Sequence, residues 1–178
     1  ATSYYGNNHG GLVEINGKHY IFWHRHTHGR AFSRQGCADK VEILADGTIS
    51  QVEMTSCGLN DGPLKGEGVY EARIACNLWS KEGTGRYDVG NPKKLLKNHP
   101  YITQDKRDGD PSARQYIANM RDGAVAGFKY FEITGPTDIT VWLSGNGKGE
   151  IEVSDTLDFS RSVHIPVEVN SENTESFH

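Results

Sequence analysis

The chain has 178 residues and a formal net charge of −4, which gives room for one medium domain or two small ones. That charge argues against nucleic acid or an anionic membrane as a partner, and no apolar run approaches the ~20 residues of a membrane span. Its 21 glycines and 10% aromatic residues fit an all-β protein with many turns.

The first elements lie in Asn7–Arg34, NNHGGLVEINGKHYIFWHRHTHGRAFSR. Leu12–Ile15 and Lys18–His24 are apolar runs separated by Asn16-Gly17. That dipeptide predicts a two-residue hairpin, because both turn positions of a type I′ turn need positive φ. The turn fixes the register: Ile15 faces Lys18, Val13 faces Tyr20, Gly11 faces Phe22 and His9 faces His24. Facing side chains lie about 4.5–5.5 Å apart at Cβ, so the two imidazoles should be neighbours on one face. The second strand is apolar on both faces, which predicts burial on both sides within a larger sheet assembly. Asn8, His9, His24, Arg25, His26, His28 and Arg34 fall at one end of the two strands or just beyond it. That end reads as the mouth of a site, with a solvated sheet end as the plainer alternative.

Gly29–Gly36 then reads as a loop that delivers Arg34. Lys40–Leu44 and Thr48–Val52 flank Ala45-Asp46-Gly47, a second hairpin signal, and the glycine- and proline-rich Met54–Gly68 reads as a connector. Val69–Ala75 alternates as a strand. Ser80–Asn98 reads as a long surface loop in which Lys93, Lys94 and Lys97 are solvated. Six further strands are expected at Tyr101–Gln104, Gln115–Met120, Ala124–Ile133, Asp138–Leu143, Gly149–Val153 and Val163–Val169. Turns are expected at Arg121-Asp122-Gly123, Gly135-Pro136 and Ser144-Gly145-Asn146-Gly147. Such spacing implies a sandwich or barrel, and no segment reads as a helix. Cys37, Cys57 and Cys76 are odd in number and lack metal-ligand spacing; one disulfide with a free thiol, or three reduced cysteines, both fit. The first strand starts almost at residue 1 with no sheet to sit in, and the polar tail SENTESFH stops soon after a strand. The chain is therefore expected to be cut at both ends or to depend on a partner chain.

NNHGGLVEINGKHYIFWHRHTHGRAFSRQ, followed by ADGTISQVEMTSCGLNDGPL, resembles the last blade of the five-bladed β-propeller of glycoside hydrolase family 43, which contains β-xylosidases and α-L-arabinofuranosidases. VYEARIACNL, YIANMRDGAVAGFKYFEI and ITVWLSGNGKGEIEV look like the β-sandwich (jelly roll) of a family 6 carbohydrate-binding module often appended to these enzymes. The resemblance implies an all-β chain in two parts: residues 1–66 as the terminal propeller blade, and residues 67–178 as a sandwich incomplete at its C-terminus. It further implies an inverting hydrolase that releases xylose or arabinofuranose from xylan-type oligosaccharides, with plant cell-wall saccharide and the missing blades as partners, and a secreted or, for a cleaver of oligosaccharides, cytoplasmic location.

Residue by residue, the resemblance makes His9 the histidine at the pocket base that bonds waters around an axial calcium ion or orients the site. Arg34 becomes the arginine that binds hydroxyls of the cleaved sugar, and Asn8 a polar substrate contact. Glu71 falls where the module type holds a structural calcium. The roles are physically sensible: an arginine offers a rigid fork of donors, and a neutral imidazole passes hydrogen bonds in two directions. The family's three catalytic carboxylates come from earlier blades. Asp39, Glu42, Asp46 and Glu53 occupy none of their motif positions, so the chain alone is expected to be inactive. Two other readings compete. One is a non-catalytic carbohydrate-binding β-protein, with Trp79, Tyr130 and Trp142 as aromatics able to stack on sugar. The other is a zinc site at His24, His26 and His28, whose period-2 spacing suits three ligands. The strand is expected to end near His26, which favours pocket-rim residues over zinc ligands.

Overall fold

The structure, a computed structural model, describes residues 9–28, 33–84 and 97–178. It is all-β with almost no helix and forms two compact units, Ala1–Ile133 and Thr134–His178. The first unit opens with an antiparallel sheet of β1 (Gly11–Ile15), β2 (Lys18–His26) and β3 (Arg34–Val41), in that spatial order. Asn16 and Gly17 both have positive φ, 51° and 75°, as the type I′ turn demands. The register is the expected one, with Gly11 facing Phe22, Val13 facing Tyr20 and Ile15 facing Lys18. Gly10 is required by a close approach, since a Cβ there would overlap the carbonyl oxygen of Phe22.

Two expectations for this sheet are corrected. Arg34 does not sit on a loop: it is the first residue of β3 and pairs with His26. The strand was hidden because its inward positions are Gln35, Cys37, Asp39 and Val41, and the two polar residues break the apolar alternation a half-buried strand normally shows. Nor is β2 deeply buried on both sides. On one face Arg25, Thr27, Gln35, Asp39 and Val41 are all buried. On the other Tyr20 is buried, Phe22, His24 and His26 are half-buried, and Arg34, Gly36 and Lys40 are exposed.

The packed face holds polar groups only because each is answered. Asp39, 2% exposed, accepts from Trp23 Nε1 at 3.1 Å and from the Thr55 amide and hydroxyl at 2.8 Å each. Arg25, 5% exposed, donates through Nε to Gln35 Oε1 at 2.7 Å, through Nη1 to the Ala75 carbonyl at 2.6 Å, and through Nη2 to the Arg73 carbonyl. A buried charge is tolerated when it is hydrogen-bonded in this way.

Arg25 also explains why Val69–Ala75 is not a strand. With two of its carbonyls capped by the guanidinium, the segment instead turns through a 3-10 helix at Ala72–Ile74, and Val69 is 81% exposed. Pairing resumes at β5 (Asn77–Trp79), after β4 (Leu64–Lys65). The expected Ala124–Ile133 strand is two pieces. β8 (Val125–Gly127) pairs antiparallel with β5, and β9 (Phe131–Glu132) pairs parallel with β4. Between them the Lys129 carbonyl accepts from the Ser56 amide, and the Tyr130 amide lies 3.4 Å from Cys57 Sγ. Ser56, Cys57, Leu64 and Gly66 are thus tied to residues 129–132. The expected domain boundary at 66/67 falls inside the first compact unit. β6 (Tyr101–Gln104) and β7 (Gln115–Ala118) form an antiparallel hairpin, and Ala75, Leu78 and Ile102 make the core, with Ile117 and Ala126 packed on it.

The hairpin signal at Asp46-Gly47 closes a turn, with one bridge between Ile43 and Ile49 and Asp46 Oδ1 accepting from the Thr48 amide and hydroxyl. In the second unit β10 (Val141–Ser154) and β11 (Ser162–Phe177) form one long hairpin. The expected turn at Ser144–Gly147 is overturned: β10 runs through it, with a register shift between Leu143 and Gly145. Gly145 absorbs the irregularity at φ 123°. The reversal lies at 155–161 instead, where Ser154 Oγ, the Asp158 carboxylate and an Asp155–Arg161 ion pair at 2.8 Å tie the turn. The polar tail is the end of β11. All three cysteines are free thiols. Among the described residues no helix is long and apolar enough to cross a membrane.

Candidate functional site

The open face of the β1–β2–β3 sheet collects the histidines. Cross-strand pairing sets Arg34 against His26 and Gly36 against His24, so His24, His26 and Arg34 share one face. His9 joins them from the stretch before β1: its ring meets that of His24 edge-on, with centroids 5.0 Å apart. His24 and His26 follow at 6.1 Å. Gly36, without a side chain, leaves the space opposite His24 uncovered. The result is a row of three imidazoles with a guanidinium at its end, a set of donors and switchable acceptors suited to hydroxyl groups.

Burial, seconded by the charges of Arg34 and His24, lowers the pKa of His26 below 6.5. The imidazole is therefore neutral at physiological pH, with one nitrogen able to donate and one to accept.

The remaining candidates are dispersed. Asn8, Lys93 and Lys94 lie outside the described residues. His28 leaves the row: it has φ 56°, its amide donates to the Ile102 carbonyl at 2.9 Å, and its ring binds Thr103 and Asp108. The period-2 spacing is broken where β2 ends at His26, so His24, His26 and His28 do not form a zinc site. Among the described residues no three His, Cys, Asp or Glu side chains are grouped to hold a metal ion. Glu71 is ion-paired with Arg73. Calcium takes six to eight oxygen ligands, whereas the described neighbours of His9 supply imidazole nitrogen. This face does not fit as a direct calcium cage.

Several carboxylates are held in hydrogen bonds. Besides Asp39, Glu53 accepts from Lys129 Nζ at 2.6 Å and from the Tyr130 hydroxyl at 2.8 Å, and Asp61 accepts from Lys18 and from Lys40. Hydrogen bonds pull the titration of Asp46, Glu53, Asp61, Asp105, Asp110 and Asp158 downward. A general acid needs the opposite displacement.

Sequence reasoning passed over Asp108, Ser33 and Thr103, which close around His28. No spacing signal could reveal them, because the Ser33–Asp108 and Thr103–His28 contacts each link residues 75 positions apart.

No family model matches the sequence, and no solved structure matches the chain. Among curated proteins, a xylosidase/arabinosidase of Thermoclostridium stercorarium is 49% identical over 172 residues, covering 97% of this chain and 36% of its own length. The chain thus spans about a third of the length of that relative.

Proposed function

We propose that this chain is a portion of a xylan-acting glycosidase, of the inverting type found in glycoside hydrolase family 43, and that it supplies substrate-orienting residues rather than the acid and base. The observation that carries the reading is 49% identity to a xylosidase/arabinosidase across 97% of the chain. The row of His9, His24, His26 and Arg34 on the open sheet face supports it, because these groups suit a polyhydroxylated ligand. In this reading residues 1–66 are the terminal blade of a propeller and the later strands belong to an appended sandwich. The substrate is a plant cell-wall oligosaccharide or polysaccharide.

Inversion requires a general acid and a general base about 6.5–9.5 Å apart across the scissile bond, with a water between base and sugar. Those carboxylates belong to the rest of the longer enzyme. Arg34 donates to vicinal hydroxyls of the sugar in the cleaved subsite, and His9 and His26 orient water and hydroxyls beside it. A calcium ion, where the whole enzyme holds one, meets this face only through water on His9.

The test has two arms. The purified 178-residue chain should not turn over nitrophenyl β-xyloside or α-L-arabinofuranoside. In the longer enzyme Arg34→Ala should lower kcat/KM by about 10–1000-fold with the fold intact, given charge-assisted hydrogen bonds of roughly 1.5–3 kcal/mol each. Turnover by the isolated chain that vanishes on replacing one of its carboxylates would overturn the reading, as would an Arg34→Ala enzyme with unchanged kcat/KM.

A further inference from the structure

We infer that Asp108, far from the site in sequence, is a positioning residue that fixes Arg34 against His26 by clamping both ends of the passage from β2 to β3. The substrate-binding importance of Arg34 rests on the function proposed above; the clamp itself rests on geometry alone.

Arg34 is the first residue of its ladder, and the first residue of a ladder frays unless something beyond it is tied down. Ser33 is that tie. It is buried, its hydroxyl donates to Asp108 Oδ2 at 2.7 Å, and its carbonyl accepts from the Thr27 amide at 2.9 Å. The other carboxylate oxygen, Oδ1, lies 3.3 Å from His28 Nε2. His28 is held in turn by Thr103 Oγ1 at 2.5 Å from Nδ1. The carboxylate assigns one ring proton: Nε2 carries the one that faces Asp108. One carboxylate therefore grips the residue that follows β2 by two positions and the residue that immediately precedes β3.

The Asp108 side chain is itself exposed, so its placement depends on the loop that carries it. Asp108 stands on the connection between β6 and β7, which is braced from within. Gln104 Nε2 donates to the carbonyls of Lys106 and Arg107, both at 2.8 Å, Asp105 accepts from the Arg114 amide at 2.9 Å, and Asp110 accepts from the Ser112 amide at 2.9 Å. The three residue types match a hydrolytic triad, but the order does not. Here the carboxylate sits between serine and histidine, so the imidazole has no serine proton to take. The cluster has no nucleophile to activate. What it transmits is position.

The test uses the 178-residue chain and two NMR signals outside the clamp: the Arg34 Nε–H resonance and the pH titration of the His26 ring. Asp108→Ala should broaden or move the Arg34 signal and raise the His26 midpoint, because a released Arg34 no longer opposes protonation. Loss of a negative charge by itself would move that midpoint down, so the sign separates positioning from simple electrostatics. Asp108→Asn keeps an acceptor for Ser33 but turns an amide donor toward the His28 Nε2 proton, so it should fall between wild type and Asp108→Ala. Arg34→Gln should raise the midpoint alone, and adding Asp108→Ala to it should produce no further rise. The proposal is overturned if Asp108→Ala leaves both signals unchanged, or if its upward shift persists undiminished in the Arg34→Gln background. Should Asp108→Ala fail to fold, Ser33→Ala decides: it should move the Arg34 signal in the folded chain, and an unmoved signal refutes the clamp. A failed Arg34→Ala activity test in the longer enzyme would sink the sugar contact and leave these NMR outcomes standing.

Discussion

Replacing Arg25 tests the logic of the packed face most directly. Its guanidinium is 5% exposed and ties β2 to β3 through Gln35 and to the 3-10 segment through the carbonyls of Arg73 and Ala75. Arg25→Ala removes three charge-assisted hydrogen bonds and leaves three acceptors short of a donor. Each lost bond to a charged group is worth about 1.5–3 kcal/mol, but the terms overlap, and the arginine's own desolvation cost is recovered. A net loss of roughly 3–5 kcal/mol is the expected outcome, within the range for breaking a buried polar network. For a chain of this size that lowers Tm by about 6–20 °C. The assay is denaturant unfolding in a Trp142→Phe background, so that Trp23 and Trp79 report the first compact unit alone. Arg25→Lys should fall between, because an ammonium cannot present the fork that reaches Gln35 and two carbonyls together. Exposed Arg34→Ala should stay within about 0.5 kcal/mol of the parent. An Arg25→Ala chain within about 0.5 kcal/mol of the parent, comparable to an ordinary surface change, would refute the claim that this guanidinium pins the segments.

Two further outcomes follow from the open face. Gly10→Ala must displace the carbonyl of Phe22, a ladder residue, so it should destabilise the first unit by more than the ~1 kcal/mol typical of point changes; chemical melts check this, and a neutral result would mean that the stretch before β1 does not lie against β2 as seen. His26 supplies a pH dependence. Its folded pKa is lowered from 6.5 by burial, then by Arg34 and His24, so below about pH 6.5 the unfolded chain binds more protons than the folded one. Its contribution is complete above that pH and is lost as pH falls. Melts at about pH 7.5 and 5.5 should show a smaller acid loss for His26→Gln than for the parent, and equal losses would contradict the burial argument.

The parts legible in the sequence are those written in short-range chemistry. Asn16-Gly17 sets a turn whose two φ values only such residues adopt cheaply, and from that turn the whole β1–β2 register and the His9–His24 contact follow by counting. Tyr101–Gln104 was legible as a strand from its own pattern. Where the reading failed, a distant residue had altered the local balance. Val69–Ala75 alternates as a strand, but Arg25, some 50 positions away, takes the carbonyls such a strand would share. Gln35 and Asp39 disguise β3 because their polarity is matched by Arg25, Trp23 and Thr55, none of which is a sequence neighbour. Ser144–Gly147 carries turn residues, yet Gly145 accommodates a register shift inside a strand while the reversal is made by Ser154 and Asp158. The dispersal of His28 has the same origin: period-2 spacing places three histidines in line only while the strand lasts, and Thr103 and Asp108 draw the third one away.

The alternation of β2 divides its labour. Odd positions His19, Ile21, Trp23 and Arg25 meet Val41, Asp39, Cys37 and Gln35 in turn, and hold the fold; even positions Tyr20, Phe22, His24 and His26 face the open side with Arg34 and Gly36. Because the side-chain period is two, a slip of one residue would send Arg25 to the open side and bury two imidazoles in its place. The packed face forbids the slip: Arg25 with three acceptors, and Trp23 with Asp39, have no equivalent partners one position away. The row of His9, His24, His26 and Arg34 is therefore placed as much by the bonds of the opposite face as by its own contacts. A substitution at Asp39 or Arg25, neither of which belongs to the row, should disturb the His9–His24–His26–Arg34 alignment whenever it leaves the chain folded but loosens the register.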